Sequence, residues 1–282
     1  SSIDLTDKSV LLRVDFNVPL KGSELLDDER LLRALPTINF IAENAKSLKI
    51  ISHLGRPEET GLVQDKFSLK PVAKKLAELL GKEVNLVNSL KELKSLKNIS
   101  MLENIRFYKG EKQNEDKLSK ALAETADVFV MDAFGTAHRK QASTFGVTKF
   151  VKEACVGLLV EEELKALEKI IDSPEKPLLG IIGGSKISTK MKVLESLTRH
   201  VDHLIIGGAL ANTCLKALGK NIGKSLYEED FIELAKIIIK NKKILLPSYV
   251  VVTKGRDANL EEKHIDDVED DGSGVPPAPD LG

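Results

Sequence analysis

Tryptophan is absent from the sequence and cysteine is scarce, since the 282 residues include only Cys155 and Cys214. These two cysteines lie far apart in apolar segments, and neither has a second cysteine or a histidine at metal-ligand spacing. The sequence therefore predicts two reduced, buried thiols and argues against a structural zinc site. Reduced thiols are expected of a cytoplasmic protein.

Long apolar runs and an excess of one charge are also lacking. No apolar segment approaches the roughly 20 residues that a membrane-spanning helix needs, and the first residues do not resemble a signal peptide. The formal net charge is −1, which gives no electrostatic reason to expect nucleic acid or a membrane as partner. The hydrophobic share of 42% suffices for a core, and the length suits one large domain or two ordinary ones.

Two common nucleotide-binding motifs are missing as well. The pattern G-x-x-x-x-G-K-[ST] fails when it is started at Gly180, because Ser185 takes the place of the second glycine and Ile187 that of the hydroxyl residue. The dinucleotide pattern G-x-G-x-x-G does not occur. A dehydrogenase that binds a nicotinamide cofactor would need that pattern and an acidic residue after the second strand, so this alternative is disfavoured.

The stretch around Gly180 instead has the pattern of a strand, a glycine turn and a helix. The apolar run 177–182 predicts a buried strand, Gly183 and Gly184 follow it, and a helix is expected to begin near residue 190. Such a turn presents free backbone N–H groups to a phosphate, and Lys186 and Lys190 can face the same side. An ordinary strand-to-helix turn with two solvated lysines explains the stretch equally well.

Strands and helices alternate along the chain, which predicts α/β domains with doubly wound parallel sheets. In the first half we expect strands at 9–16, 48–52, 84–87, 99–102 and 128–131, and helices at 28–44, 68–80 (with Ser68 as cap and Gly81 as stop) and 115–125. In the second half we expect strands at 178–182, 203–206 and 244–252 (interrupted at Pro247), a helix at 229–240, no element after Val252 and a loop at 272–279. The predicted division is an N-terminal domain 1–157, a connector helix 158–172 and an incomplete C-terminal domain 173–282.

Arginine is rare but concentrated, because six of the eight arginines lie in the first half and several follow predicted strands. Strand ends of a parallel sheet meet at one edge, and arginine grips phosphate and carboxylate in bidentate fashion. We therefore predict an anion site at this edge. In it, Arg56, Arg106 and Arg139 would hold a phosphate. Asp15 and Asn17 would bind a hydroxyl group, and His53 or Arg30 would bind a carboxylate. Arg13 and Arg33 are interpreted as surface charges, or Arg13 as the partner of Asp15, and neither as a direct ligand.

Six segments together resemble the phosphoglycerate kinase family, bacterial members most of all. They are 13–19 RVDFNVP, 29–38 ERLLRALPTI, 52–57 SHLGRP, 102–107 LENIRF, 132–139 DAFGTAHR and 183–190 GGSKISTK. The resemblance implies two Rossmann-like domains joined by a helix, one for 3-phosphoglycerate and one for ATP or ADP with Mg²⁺, in a monomer. It implies substrate binding by Asp15, Asn17, Arg30, His53, Gly55, Arg56, Arg106 and Arg139, catalysis by Arg30 and Lys186, and nucleotide binding by Lys186, Lys190, Gly183, Gly184, Gly207 and Gly208.

The family's reaction suits such a site, because a carboxylate acceptor is already ionised at neutral pH and needs no general base. Family members also carry a W-N-G-P-x-G-x-x-E segment and a G-G-G-D turn whose aspartate serves the magnesium, and neither occurs in these 282 residues. We therefore expect no metal ligand in this sequence and poor turnover by a chain of this extent. The alternative is a non-catalytic fragment that binds phosphorylated acids.

Overall fold

The computed structural model describes residues 3–172, 174–253 and 259–269. The chain divides into two compact units, Ser1–Leu167 and Glu168–Gly282. The division lies within the helix that was predicted as a connector. In the described part of the chain, no helix is both long enough and apolar enough to cross a membrane.

A six-stranded parallel sheet with the strand order β5-β6-β4-β1-β7-β8 organises the first unit. The strands of this unit are β1 (Ser9–Val14), β2 (Leu20–Lys21), β3 (Glu24–Leu25), β4 (Ser47–Ile51), β5 (Asn85–Val87), β6 (Ser100–Leu102), β7 (Val128–Asp132) and β8 (Glu153–Val156). The helices are α1 (Glu29–Asn44), α2 (Lys70–Leu80), α3 (Leu90–Ser95), α4 (Asp116–Ala123), α5 (Phe134–Ala137) and α6 (Leu158–Asp172), which continues into the second unit. Short 3-10 helices lie at Asp65–Phe67, Ile105–Phe107 and Gly146–Lys149.

Both faces of this sheet are covered, and β1 shows why. Val10, Leu12 and Val14 belong to one buried cluster, whereas Leu11 belongs to the other. Successive side chains of a strand point to opposite faces, so a strand with consecutive apolar residues contributes to two cores. This confirms the predicted doubly wound architecture and fixes the carboxyl edge of the sheet, where β1 ends at Val14 and β4 at Ile51.

One detail of the predicted elements needs correction in the first unit. Leu69, and not Ser68, takes the cap position of α2, although the Ser68 hydroxyl accepts a hydrogen bond from the Lys70 N–H at 3.2 Å. The predicted stop is confirmed, since Gly81 ends the helix with a left-handed φ of 60°. The β2–β3 ribbon, α3 and β8 were not predicted, although Ser89 and Glu92 form a capping-box pattern at the start of α3.

The edge strand β8 explains why Cys155 differs from the prediction. β8 pairs with β7 on one side and ends the sheet, so Cys155 is half-buried instead of buried. Cys214 is buried as predicted, and both thiols are free. Burial raises the pKa of Cys214 to about 11, which makes it an inert core residue.

The second unit contains a three-stranded parallel sheet with the order β11-β10-β9. The strands of the second unit are β9 (Leu179–Ile182), β10 (His203–Ile206), β11 (Ile244–Leu245), β12 (Tyr249–Val252) and β13 (Glu261–His264). Its helices are α7 (Met191–His200), α8 (Gly208–Ala217) and α9 (Ile232–Ile238), with 3-10 helices at Glu229–Phe231 and Ile265–Asp267. The predicted helix at 229–240 is therefore a 3-10 turn followed by the shorter α9.

Two predictions about the end of this unit are wrong. The single strand at 244–252 is two strands in different sheets, because β11 pairs with β10 whereas β12 pairs with β13. Residues after Val252 do form an element, the strand β13, which runs antiparallel to β12 with Tyr249 opposite His264. Its sequence Glu-Glu-Lys-His carries no apolar signal. The loop predicted at 272–279 lies outside the described residues.

Candidate functional site

Polar side chains from three strand ends meet at the carboxyl edge of the first sheet. Asp15 and Asn17 follow β1, His53 and Gly55 follow β4, and Arg106 lies in the 3-10 helix after β6. The side-chain oxygen of Asn17 accepts a hydrogen bond from the Gly55 N–H at 2.7 Å, and Nη1 of Arg106 donates to the Gly55 carbonyl at 2.5 Å. The structure therefore brings together residues that the sequence only placed at one edge.

Gly55 is the centre of this cluster, and its conformation requires glycine. Its φ is 59°, in the left-handed region. A Cβ at this position would lie 2.5 Å from the ring of Phe67. The main chain can therefore turn tightly beneath the ring and offer its N–H to Asn17 and its carbonyl to Arg106.

Asp15 links the cluster to helix α1. Its Oδ2 lies 2.6 Å from Nη1 of Arg30, and its Oδ1 accepts a hydrogen bond from the Asn17 N–H at 3.1 Å. The Arg30 side chain is half exposed, whereas that of Asp15 is 18% exposed. Nε2 of His53 lies 3.9 Å from Asp15 Oδ1, which is too long for a hydrogen bond.

Arg13 corrects the prediction of a surface charge, because it is completely buried. Its Nε donates to the Ser143 hydroxyl at 3.1 Å, its Nη1 donates to the Val14 carbonyl, and its Nη2 lies 3.2 Å from Nδ1 of His53. The predicted pair with Asp15 is replaced by the pair between Asp15 and Arg30. Arg33 is partly exposed and pairs with Glu163 at 3.2 Å.

The local field keeps His53 neutral. Burial, followed by the charges of Arg13, Arg106, Arg139 and Arg30, lowers the pKa of His53 to about 2. Burial and the charges of Arg139 and Arg13 lower the pKa of Arg106 to about 10, so this guanidinium stays charged at neutral pH. The cluster is thus positively charged around a neutral imidazole, which suits an anionic ligand that also accepts a hydrogen bond.

Two further predicted ligands lie next to these segments in the chain. Arg56 follows Gly55 and is exposed, and Arg139 follows α5 and is exposed as well. The charge of Arg139 nevertheless acts on both His53 and Arg106. The two exposed guanidinium groups are therefore available to a ligand that binds from solvent.

Sequence reasoning missed several buried residues that hold this edge in place. Nδ2 of Asn104 donates to the Leu54 carbonyl at 2.7 Å, and its Oδ1 accepts from the Arg106 N–H at 3.1 Å. Glu111 accepts two hydrogen bonds from Ser143. No local signal distinguishes such residues from ordinary polar loop residues, because their role depends on contacts between distant segments.

In the second unit, two glycine turns pack against each other after the neighbouring strands β9 and β10. The Leu210 N–H donates to the Gly184 carbonyl at 3.1 Å. Gly208 has a φ of 64°, and a Cβ there would lie 3.2 Å from the Gly184 carbonyl oxygen. A Cβ on Gly183 would lie 3.9 Å from the Gly207 carbonyl oxygen, and a Cβ on Gly207 would meet nothing within 4 Å.

Both predicted lysines belong to this region. Lys186 is exposed in the turn, and Lys190 is the half-buried residue that precedes α7. An ideal Cβ on Gly184 would lie 3.7 Å from Cε of Lys190, so the Lys190 side chain runs along the glycine turn. The turn therefore offers open backbone beside a cation, as a phosphate site requires.

Glu228 also braces this turn, and it was not predicted. It accepts hydrogen bonds from the Ser188 hydroxyl at 2.7 Å and from the Ser188 N–H at 3.1 Å. Partial burial raises the pKa of Glu228, but these hydrogen bonds and the charge of Lys186 outweigh burial and lower it overall. The carboxylate fixes the segment between Lys186 and Lys190.

Comparison with known proteins agrees with these features. The family model described as "Phosphoglycerate kinase" matches residues 1–279. The phosphoglycerate kinase of Francisella philomiragia is 47% identical over 278 residues, which are 95% of this chain and 71% of that protein. The phosphoglycerate kinase of Vibrio campbellii is 46% identical over 275 residues, which are 96% of this chain and 71% of that protein.

Solved structures give the same result. The phosphoglycerate kinase of Coxiella burnetii superposes with a TM-score of 0.80 at 45% sequence identity. The match covers 97% of this chain and 72% of the Coxiella chain. The phosphoglycerate kinase of Pyrococcus horikoshii OT3 superposes with a TM-score of 0.79 at 27% sequence identity. The match covers 95% of this chain and 71% of the Pyrococcus chain. With a family model that matches nearly the whole length, this chain belongs to the phosphoglycerate kinase family.

Proposed function

We propose that the protein transfers a phosphoryl group reversibly between ATP and the carboxylate of 3-phosphoglycerate, giving ADP and 1,3-bisphosphoglycerate. Membership of the family supports the reaction class. The observation that carries the proposal is the cationic cluster around Gly55, in which Asn17 and Arg106 are both hydrogen-bonded to one glycine residue.

The substrate roles follow from what each side chain already does in the cluster. Asn17 uses its oxygen for the Gly55 N–H, so its amide Nδ2 is the group that we assign to the ligand's hydroxyl, together with Asp15. We assign Arg56, Arg106 and Arg139 to the phosphate, because guanidinium groups bind phosphate oxygens in pairs. His53 and Arg30 then face the carboxylate.

The chemistry needs orientation and positive charge more than proton transfer. A carboxylate acceptor is ionised at neutral pH, and a pKa of about 2 makes His53 a poor base. We therefore assign His53 to hydrogen bonding and not to acid–base catalysis. Arg30 in the first unit and Lys186 in the second are the cations that we assign to the phosphoryl group during transfer.

The second unit supplies the nucleotide contacts in this proposal. Lys190 and the backbone of Gly183, Gly184, Gly207 and Gly208 are assigned to the phosphates of ATP or ADP. In the family Mg²⁺ accompanies the nucleotide. Among residues 3–172, 174–253 and 259–269, no group of three histidine, cysteine or acidic side chains is placed to hold a metal. We assign no residue to the ion and derive no step through it.

Steady-state measurement of ATP-dependent 1,3-bisphosphoglycerate formation tests the proposal. Lys186→Ala should lower kcat about 100-fold, the usual effect of removing one charge that stabilises a transition state. Lys192→Ala is the matched control, because Lys192 is exposed on α7, and it should match the parent. An active parent with an equally active Lys186→Ala variant would contradict the role of Lys186. The assay uses a protein in which this sequence continues through the family's W-N-G-P-x-G-x-x-E segment and G-G-G-D turn, because we expect poor turnover from these 282 residues alone. No turnover of 3-phosphoglycerate by that protein would contradict the proposed function.

A further inference from the structure

A buried chain of polar groups lies behind the cationic cluster. Glu111, Ser143 and Arg13 are each 0% exposed, and His53 is 3% exposed. The two oxygens of Glu111 accept from the Ser143 hydroxyl at 2.5 Å and from the Ser143 N–H at 3.0 Å. Nε of Arg13 donates to the same hydroxyl at 3.1 Å. Ser143 is therefore held between a carboxylate and a guanidinium.

The directions of these hydrogen bonds fix each proton. Arg13 has only donors, so the Ser143 hydroxyl oxygen accepts from Arg13 and its own proton goes to Glu111. At the other end of the guanidinium, Nη2 can only donate to Nδ1 of His53, 3.2 Å away. A neutral imidazole that accepts at Nδ1 carries its proton on Nε2. Nε2 is the nitrogen on the Asp15 side of the ring.

Glu111 itself is anchored from two sides. Its N–H donates to the Tyr108 carbonyl at 3.3 Å, and its carbonyl accepts from the Ala142 N–H at 3.0 Å. Burial raises the pKa of Glu111, while the charge of Arg13 and the hydrogen bonds from Ser143 oppose that shift. A buried guanidinium without a compensating carboxylate would be costly, so Glu111 and Arg13 support each other.

We propose that Glu111 is a positioning residue of the acid-binding site, which acts through Ser143 and Arg13 to hold the ring of His53 in the tautomer with its proton on Nε2. The inference rests on the proposed function, because it explains how a hydrogen-bond donor is kept ready for the carboxylate of 3-phosphoglycerate. Glu111 touches no reacting atom in this proposal, and its effect on binding passes through three buried contacts.

The test compares Glu111→Gln with Glu124→Gln, which removes an equivalent charge from an exposed residue of the same unit. Long-range nitrogen–proton NMR of the histidine rings, without ligand, should show the Nε2–H tautomer of His53 in the parent and in Glu124→Gln. The Glu111→Gln variant places a donor where Ser143 donates, so the His53 signals should shift towards a mixture of tautomers. In calorimetry its affinity for 3-phosphoglycerate should fall at least tenfold.

A second variant keeps the inference open to contradiction if Glu111→Gln does not fold. Ser143→Ala removes the hydroxyl that joins Glu111 to Arg13 and leaves both charges in place, so it should also change the His53 tautomer. If the His53 signals are unchanged in whichever of Glu111→Gln and Ser143→Ala folds, then the inference is overturned. A parent that binds no 3-phosphoglycerate would contradict the proposed function instead, and the ring signals would still decide the role of Glu111.

Discussion

Nη1 of Arg30 lies 2.6 Å from Oδ2 of Asp15, so a single ion pair joins the first turn of α1 to the segment that leaves β1. Asp15 lies among several cations at this edge, and the charges of Arg13, Arg106, Arg139 and Arg30 all act on the neighbouring His53. The pair therefore orients Arg30 without cancelling the positive charge that an anionic ligand needs.

We expect Asp15→Asn to weaken 3-phosphoglycerate binding about tenfold with little loss of stability. The variant removes a strong acceptor for the ligand's hydroxyl and frees Arg30, but half-exposed ion pairs contribute only about 1 kcal/mol or less. Calorimetry and urea unfolding measure the two effects. Asp116→Asn is the control, since Asp116 pairs with Lys149 at 3.1 Å away from the cluster. A loss of stability without a loss of affinity would contradict the role of Asp15.

Gly55→Ala should destabilise the first unit by about 2 kcal/mol or more, because the new Cβ combines a left-handed φ with a close contact to Phe67. Gly22→Ala separates the two causes, since Gly22 has a φ of 64° but open space around its Cβ position. That control should cost only about 1 kcal/mol. Equal free energies of unfolding for the two variants would show that the ring of Phe67 does not restrict Gly55.

The depressed pKa of His53 predicts a pH dependence of stability. Its pKa is about 2 in the folded chain and 6.5 as an ordinary histidine, so protonation favours the unfolded state. The contribution of neutral His53 to the free energy of unfolding is fully present above about pH 6.5, and it is lost as the pH drops below that value. Between about pH 7 and about pH 5.5, this single group should cost about 1 kcal/mol.

Replacement of the ring provides the control for this effect. His53→Gln cannot titrate in this range, so its unfolding free energy should fall by about 1 kcal/mol less than that of the parent between the same pH values. Chemical unfolding at each pH gives the comparison. If parent and variant lose the same stability, then His53 is not held neutral by its surroundings.

The two glycines that begin α8 should respond differently to alanine. Gly207→Ala meets nothing within 4 Å, so it should leave stability unchanged while weakening ADP binding, because a methyl group would keep phosphate oxygens from the backbone. Gly208→Ala should destabilise the second unit by about 1 kcal/mol or more, since its φ is 64° and its Cβ would press on Gly184. Unaltered ADP affinity in Gly207→Ala would contradict its place at the nucleotide phosphates.

The fold could be predicted where the apolar pattern was strong. β1 and β4 are mostly apolar strands that are buried on both faces, and α1 has the helical spacing of a half-buried helix. β8 and β13 could not be predicted in the same way, because they lie in edge positions where pairing with a neighbour matters more than burial. Pro247 marked a real interruption, but the sequence did not show that the chain changes sheets there.

The outer part of the candidate site could also be predicted, because arginines after strands must collect at one sheet edge. Its inner part could not. Arg13 lies within β1, a central strand that is buried on both faces, but the sequence does not show its contacts with Ser143 and His53, which are far away in the chain. Glu111 is equally hidden in a charged segment, and its partners come from the loop before the 3-10 helix at Gly146–Lys149.

Calorimetric titration of 3-phosphoglycerate into the parent protein, Arg106→Ala and Arg33→Ala tests the central claim most directly. Arg106 lies in the cluster, whereas Arg33 is a partly exposed arginine that pairs with Glu163. The proposed site predicts binding by the parent and by Arg33→Ala, with at least a tenfold loss in a folded Arg106→Ala variant. Equal affinities of all three proteins, or no binding by a folded parent, would contradict it.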